Sequence, residues 1–198
     1  LDRLRKRLVA ILTGNQLPAL ERAEAGRVLA KLGDPRPEVT TIDQMEFCFV
    51  PAGPFLMGSK KGDGPGEDPL AYGDEEPQHT FDIAHNYWLA RYPLTNAQYD
   101  QFVKAGGYAN PTYWTEAATH GYWQDGAFKG QYDDEPRKKP AHFGEPFDQP
   151  NHPVVGISWY EALAYSRWLT DQLPAGWQAR LPSEAEWEKG ARGGLQIP

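Results

Sequence analysis

Hydrophobic and polar positions change period several times along the chain, and each change marks an element. Leu1, Leu4, Leu8 and Ile11-Leu12 recur at helical spacing, with Arg3, Arg5, Lys6 and Arg7 between them. Thr13-Gly14-Asn15 interrupts the pattern. Leu17, Leu20, Ala23, Val28 and Leu32 resume it among the charges of Glu21, Arg22, Glu24 and Arg27. Gly33-Asp34-Pro35-Arg36-Pro37 stops it. Residues 1–32 are therefore expected to form a helical hairpin, packed on a neighbour or closing an upstream domain. Between residues 45 and 58 the period shortens. Phe47, Phe49 and the run from Val50 to Gly58 predict two short strands around a Pro-Gly turn. Phe81 and Ile83 predict a further strand, and Tyr87 to Thr95 predicts a strand running into a helix cap.

Three helix starts are written out in side-chain chemistry. Thr95 with Gln98, Ser158 with Glu161, and Ser183 with Glu186 each place a hydroxyl three residues before a Glu or Gln. In such a capping box the hydroxyl accepts from the third helical amide and the longer side chain accepts from the cap amide. The first helix should bury Tyr99, Phe102 and Val103 before Gly106-Gly107. The second should bury Leu163, Ala164, Trp168 and Leu169 and end before Pro174. The third carries Glu184 and Glu186 in its first turn, Lys189 and Arg192 in its last, and stops at Gly193-Gly194. Trp159, Trp168 and Trp187, on these helices, are expected in the core. Asn151 to Ile157 reads as a short buried strand before the second helix.

Residues 108–150 are aromatic, polar and irregular, with Thr115 to Trp123 read as a short helix. Aromatic loops line carbohydrate and peptide grooves, and they also cover cores that strands leave open. Trp114, Tyr122 and Trp123 are the candidate ligand-surface residues, with Trp114 and Trp123 expected to be more exposed than the helical tryptophans. Packing is the competing role for each.

Composition narrows the function classes. A net charge of -7 argues against a nucleic-acid partner. Arg137-Lys138-Lys139 is too short a basic run to change that. No apolar run reaches the length of a membrane span, and no signal peptide is visible. The single Cys48 permits no internal disulfide and no cysteine metal cage, which fits a reducing, cytoplasmic setting. On its strand it is expected to be a small buried hydrophobe. The loop from Lys60 to Glu76 offers Asp63, Glu67, Asp68, Asp74, Glu75 and Glu76 as oxygen ligands for calcium, but at no EF-hand spacing, so it reads as solvated. His79 and His85 lack a signalled third ligand and read as surface or hydrogen-bonded residues. Glu184, Glu186 and Glu188 are explained by capping and helix charge. No Gly-x-Ser-x-Gly, Walker loop or His-Glu-x-x-His is present. The chain starts on Leu1 and ends just past a helix stop, and is expected to be a piece of a longer polypeptide.

The stretch Leu181-Pro182-Ser183-Glu184-Ala185-Glu186-Trp187-Glu188, followed by Ala191-Arg192-Gly193-Gly194, resembles the signature of the formylglycine-generating enzyme (sulfatase-modifying factor) family. Val50 to Gly58, Arg91 to Tyr99 and Asn151 to Ala162 resemble further segments of it, so that the likeness covers roughly residues 45 to 194. The resemblance implies an α+β, loop-rich, C-type-lectin-like domain. A helical lead-in would occupy residues 1–38, and residues 39–198 would be the N-terminal part of a domain that continues further. In the family's enzymes a cysteine pair binds copper(I) and activates oxygen to convert a substrate cysteine to formylglycine. Those cysteines lie downstream of the Glu-Ala-Glu-Trp-Glu helix, and the family's calcium-binding segments lie beyond residue 198. No catalytic, cofactor or metal residue of this chain is implied, and Cys48 matches no catalytic position. The function expected first is non-catalytic ligand binding, as in the variable proteins of diversity-generating retroelements. The alternatives are a copper- or iron-dependent oxidase with its cysteines downstream, and a regulatory module of a larger bacterial signalling protein.

Overall fold

A computed structural model describes residues 1–194. It mixes helices with short antiparallel strands, as the changing periods predict. Helices α1 (Asp2–Thr13) and α2 (Ala19–Leu32) form the hairpin, and α3 (Pro37–Thr40) is a single turn. Strands β1 (Phe47–Val50), β2 (Gly53–Met57), β3 (His79–Ile83) and β4 (Tyr87–Ala90) follow. Then come α4 (Asn96–Lys104), a 3-10 turn at Pro111–Tyr113, α5 (Thr115–Thr119), β5 (Trp123–Gln124), β6 (Ala127–Phe128), α6 (Trp159–Gln172) and α7 (Glu184–Arg192).

The chain forms two compact units. The first joins Leu1–Glu46 to Tyr92–Leu181, and the second joins Phe47–Arg91 to the segment that begins at Pro182.

The first unit has an aromatic core. Tyr99 and Phe102 from α4 meet Tyr165, Trp168 and Leu169 from α6, with Tyr108, Trp114 and Phe128 closing over them. Tyr99 stacks on Tyr165 at 5.3 Å, and Trp114 lies 4.9 Å from Tyr108, centroid to centroid. Such ring pairs add about 0.5–1.5 kcal/mol each beyond the area they bury. Gly107 is forced by this packing, because a Cβ there would stand 2.0 Å from the Phe102 ring. The helical hairpin has a smaller core of Leu8, Ala25 and Leu29. Asn151 ties it to the rest of the unit, donating to Gly26 O (3.1 Å) and to Asp34 Oδ2 (2.8 Å).

The second unit is two ribbons and one helix. β1 pairs with β4, Phe47 opposite Ala90, and β2 pairs with β3, Phe55 opposite Phe81. Helix α7 holds the strands through polar groups. Lys189 Nζ donates to Pro51 O and Gly53 O, both at 2.7 Å, and Arg192 Nη1 donates to Gly58 O at 2.8 Å. Glu188 Oε1 accepts from Gly58 N at 2.8 Å, and Tyr87 donates to Glu186 O at 2.6 Å. Gly190 lets the helix approach β4, since a Cβ there would meet Leu89 at 2.4 Å.

All three capping boxes form as read, at Thr95, Ser158 and Ser183. Other expectations are corrected. Trp168 is buried, but Trp159 and Trp187 are 58% and 61% exposed. Nine residues are about two and a half helical turns, so Trp159 points away from the face that buries Trp168. On α7 the buried positions are Glu186 and Lys189, and Trp187 lies off that face. Trp114 is 1% exposed, the reverse of what was expected. Cys48 is exposed, because the two-stranded β1–β4 ribbon leaves it uncovered. The expected strand before α6 is irregular backbone with one isolated bridge, Thr95 to Pro153. Pro150 and Pro153 lack ladder donors, and Gly156 has φ +71°. The helix from Thr115 ends at Thr119 and does not reach Trp123.

Asp34, 2% exposed at its side chain, accepts from Arg36 Nε (2.9 Å) and Nη2 (2.6 Å) as well as from Asn151. Burial alone would raise its carboxyl pKa, but the hydrogen bonds from Arg36 and Asn151 outweigh burial and hold it below the ordinary value. A carboxyl held low in the folded state stabilises above its unfolded pKa and loses that contribution as pH falls through the folded value. Stability should therefore decline below about pH 4. Asp34→Asn should flatten part of that acid slope in unfolding curves taken between pH 2 and 7, values chosen to bracket roughly the carboxylate range. The helix assignments give a second expectation. Trp168→Ala should cost about 3–5 kcal/mol, while Trp159→Ala should stay within about 0.5 kcal/mol. Urea unfolding midpoints of the two variants check this.

Candidate functional site: an aromatic cleft over a buried ion pair

The irregular stretch after α4 builds the most distinctive site of the first unit. Strand β6 ends in Phe128, whose backbone exchanges both hydrogen bonds with Arg137 (2.9 and 2.8 Å). This bridge closes a loop from Lys129 to Pro136 and aims the Arg137 side chain inward. Its guanidinium donates from Nη1 and Nη2 to the two oxygens of Glu161, the Nη2 bond being 2.6 Å. Nε donates to Asp133 Oδ2 at 3.0 Å, and the guanidinium carbon lies 5.0 Å from the Phe128 ring centroid. A two-pronged guanidinium–carboxylate pair fixes orientation as well as distance.

Glu161 is 0% exposed and sits where four demands meet. It caps α6 by accepting from Ser158 N at 2.8 Å, takes the Tyr108 hydroxyl at 2.5 Å, and receives Arg137 twice. Tyr108 OH is 3.2 Å from Tyr99 OH. Burial, then the neighbouring Glu161 charge, pushes the Tyr99 phenol up; burial, Tyr99 and Glu161 push Tyr108 up. Both therefore stay protonated donors. Burial raises the Asp133 carboxyl, but the Gly130 amide and Arg137 outweigh it, so Asp133 stays ionised.

Above this network lies an open cleft of about 420 Å³, lined by Tyr122, Phe128, Tyr132 and Tyr160 with Asp133 and Arg137 at its floor. Tyr122 and Tyr160 pack ring to ring at 5.3 Å. A second hollow of about 300 Å³ lies between α4 and the 139–155 segment, lined by Val103, Lys139, His142, Phe143 and Phe147.

The structure separates the three candidate ligand-surface residues. Tyr122 lines the cleft. Trp123 is half-buried and donates its indole N–H to Tyr108 O at 2.9 Å, stacked 6.3 Å from Trp114. Trp114 is framework, its N–H bonded to Gly107 O at 2.9 Å. Sequence reasoning passed over Arg137 as part of a short basic run and Glu161 as only a cap. Their pairing spans 24 residues, and no local pattern signals it.

The other candidates have local uses. His79 Nδ1 lies 2.9 Å from Pro77 O, and His85 Nε2 lies 2.9 Å from Glu186 Oε1. In the acidic loop Glu67 accepts from Gly64 N and pairs with Lys60, Asp68 accepts from Leu70 N, and Glu76 from Lys61 N. Among the described residues no three His, Cys, Asp or Glu side chains converge as a metal site requires. Cys48, with no second thiol in the chain, does not fit a two-thiolate copper site.

Comparison with known proteins gives this geometry a family. A model of the sulfatase-modifying factor enzyme 1-like domain matches residues 32–197. The chain belongs to this family. It is 36% identical over 166 residues to the formylglycine-generating enzyme of Thermomonospora curvata, covering 74% of the chain and 48% of that protein. It is 36% identical over 144 residues to the hercynine oxygenase of Mycolicibacterium smegmatis, covering 71% of the chain and 30% of that protein. It is 30% identical over 150 residues to the serine/threonine-protein kinase pkn1 of Chlamydia caviae, covering 76% of the chain and 20% of that protein. The chain thus spans about half or less of the length of these relatives. No helix among the described residues is long and apolar enough to cross a membrane.

Removing Arg137 would leave Glu161 buried with an uncompensated charge. Arg137→Ala should cost about 3–5 kcal/mol. Arg137→Lys should recover only part of that, because an ammonium cannot make the forked pair. Urea unfolding midpoints of the two variants test both statements.

Proposed function

We propose that this chain supplies the ligand-holding part of a formylglycine-generating-enzyme-like domain, on a C-type-lectin-like scaffold, and binds its ligand without chemistry on it. The observation that carries this reading is the aromatic cleft over the Arg137–Glu161 pair. A binding surface needs a floor that does not move, and a buried, doubly bonded ion pair provides one. Its rim is aromatic, which gives contact area at little conformational cost. Tyr122, Tyr132 and Tyr160 are the contacting side chains on this reading, with Trp123 and Trp114 behind them. Variable binding proteins of diversity-generating retroelements would be its functional counterparts, and a cytoplasmic setting suits its lone thiol.

A second reading is favoured by the names of two relatives, formylglycine-generating enzyme and hercynine oxygenase. On it the cleft holds a substrate for an oxidase or oxygenase whose metal-holding residues lie outside those described here. The likeness to a protein kinase favours a third, a regulatory module within a larger bacterial signalling protein.

Two measurements test the first reading. With tyrosines and phenylalanines carbon-13 labelled, a library of small neutral fragments should shift the resonances of Tyr122, Tyr132 and Tyr160 together. Shifts gathered instead around Phe143 and Phe147, or around none of these rings, would remove the cleft from the account. The protein given copper(I), oxygen and a Cys-x-Pro-x-Arg peptide should yield no formylglycine by mass spectrometry, and turnover that depends on Cys48 would overturn the non-catalytic reading.

A further inference from the structure

The cleft offers ring faces and hydroxyls but no unpaired charge. Tyr122 and Tyr160 are both half-buried and lie 5.3 Å apart with their planes tilted by 38°, so they present a continuous aromatic wall. Tyr132, on the loop closed by Arg137, is 93% exposed. The hydroxyls of Tyr122, Tyr132 and Tyr160 make no hydrogen bond to the protein among the described residues, unlike those of Tyr99, Tyr108 and Tyr113. At the floor Arg137 is already bonded to Glu161 and Asp133, and Asp133 also takes the Gly130 amide.

These features select a ligand by its chemistry. An ion entering the cleft would shed water and find every fixed charge of the floor already paired, which is unfavourable. A wholly apolar ligand would cover phenol hydroxyls without replacing their water. A ring with a C–H face and hydroxyls along its edge satisfies both conditions. Its face packs on the Tyr122–Tyr160 wall, and its edge exchanges hydrogen bonds with the phenols. The volume of about 420 Å³ falls within the range of small-ligand sites, roughly 300–1,000 Å³.

We propose that this cleft binds an uncharged saccharide, stacked on Tyr122 and Tyr160 and hydrogen-bonded at its rim by Tyr132. This rests on the cleft being the ligand site and adds the class of ligand.

The test titrates the protein with cellotriose, maltotriose and chitotriose, followed through the labelled tyrosine resonances, with trigalacturonate as a charged counterpart. At least one neutral trisaccharide should shift Tyr122, Tyr132 and Tyr160, and trigalacturonate should bind more weakly. Tyr122→Ala and Tyr132→Ala should each weaken binding about tenfold or more, while Phe143→Ala, at the second hollow, should leave it unchanged. Tyr132 is nearly all exposed, so its variant folds whatever becomes of Tyr122→Ala, and it decides alone if the other does not fold. The proposal is overturned if no neutral trisaccharide moves these resonances, if trigalacturonate binds more tightly, or if binding survives Tyr132→Ala. Should neutral fragments gather at the cleft and the sugars fail, the ligand site stands and the saccharide does not.

Discussion

One interaction sets the form of the first unit: the forked pair between Arg137 and Glu161. Glu161 could not be buried without it, because an ionised carboxylate taken out of water needs a partner and further donors. Here the partner comes from a loop and the donors from a helix start and a tyrosine. Three segments distant in sequence are thereby held to one carboxylate. The capping box of α6, the Phe128–Arg137 bridge and the Tyr99–Tyr108 pair each depend on the position the others give it. A loop that would otherwise be free to sample many conformations acquires one, and the aromatic rim it supports acquires a fixed floor.

The second unit reaches order by a related route, with backbone carbonyls in place of a carboxylate. Its strands are short and paired two by two, and two-stranded ribbons are marginal alone. Helix α7 supplies what they lack. Lys189 and Arg192 donate to carbonyls at the turn and end of β2, and Glu188 takes a backbone amide there. Glu188 and Arg192, two charged residues of the family-like signature, are thus among the residues that hold strands together. That accounts for charged side chains on α7, Glu186 and Lys189, that are buried.

How far the fold could be read from the sequence follows the range of the forces involved. Helix starts were legible because a capping box is local, with Ser158 and Glu161 three residues apart and needing nothing else. Strand positions at Phe47–Val50 and Tyr87–Ala90 were legible from alternation and turn residues. Burial was not. Trp187 is apolar and exposed, while Lys189 is charged and buried, since Lys189 finds two carbonyls that lie far off in sequence. Trp114 looked like a loop residue and is core, because irregular backbone can still close over a helix pair when its indole N–H finds Gly107 O. Cys48 was expected inside for its chemistry, but a ribbon without a covering layer leaves it exposed. The candidate site was half legible. The aromatic content of residues 108–150 pointed to the region, and Tyr122 was among the residues singled out. Arg137 and Glu161 were hidden because their meeting is a matter of tertiary structure.

The distribution of roles bears on how family membership relates to function here. The helix starts, the opening strands and α7 each have a structural use that explains their residues. The cleft is built mainly from the stretch between Tyr122 and Arg137, where regular structure is sparse, with Tyr160 contributed by the first turn of α6. A scaffold fixed by caps, clamps and one buried pair tolerates change in such a stretch, provided Arg137 still reaches Glu161. Side chains can then vary at Tyr122, Tyr132 and their neighbours without loss of the fold, because those side chains contribute surface and the floor contributes stability. This separation is the physical condition under which one fold can serve catalysts and binding proteins alike.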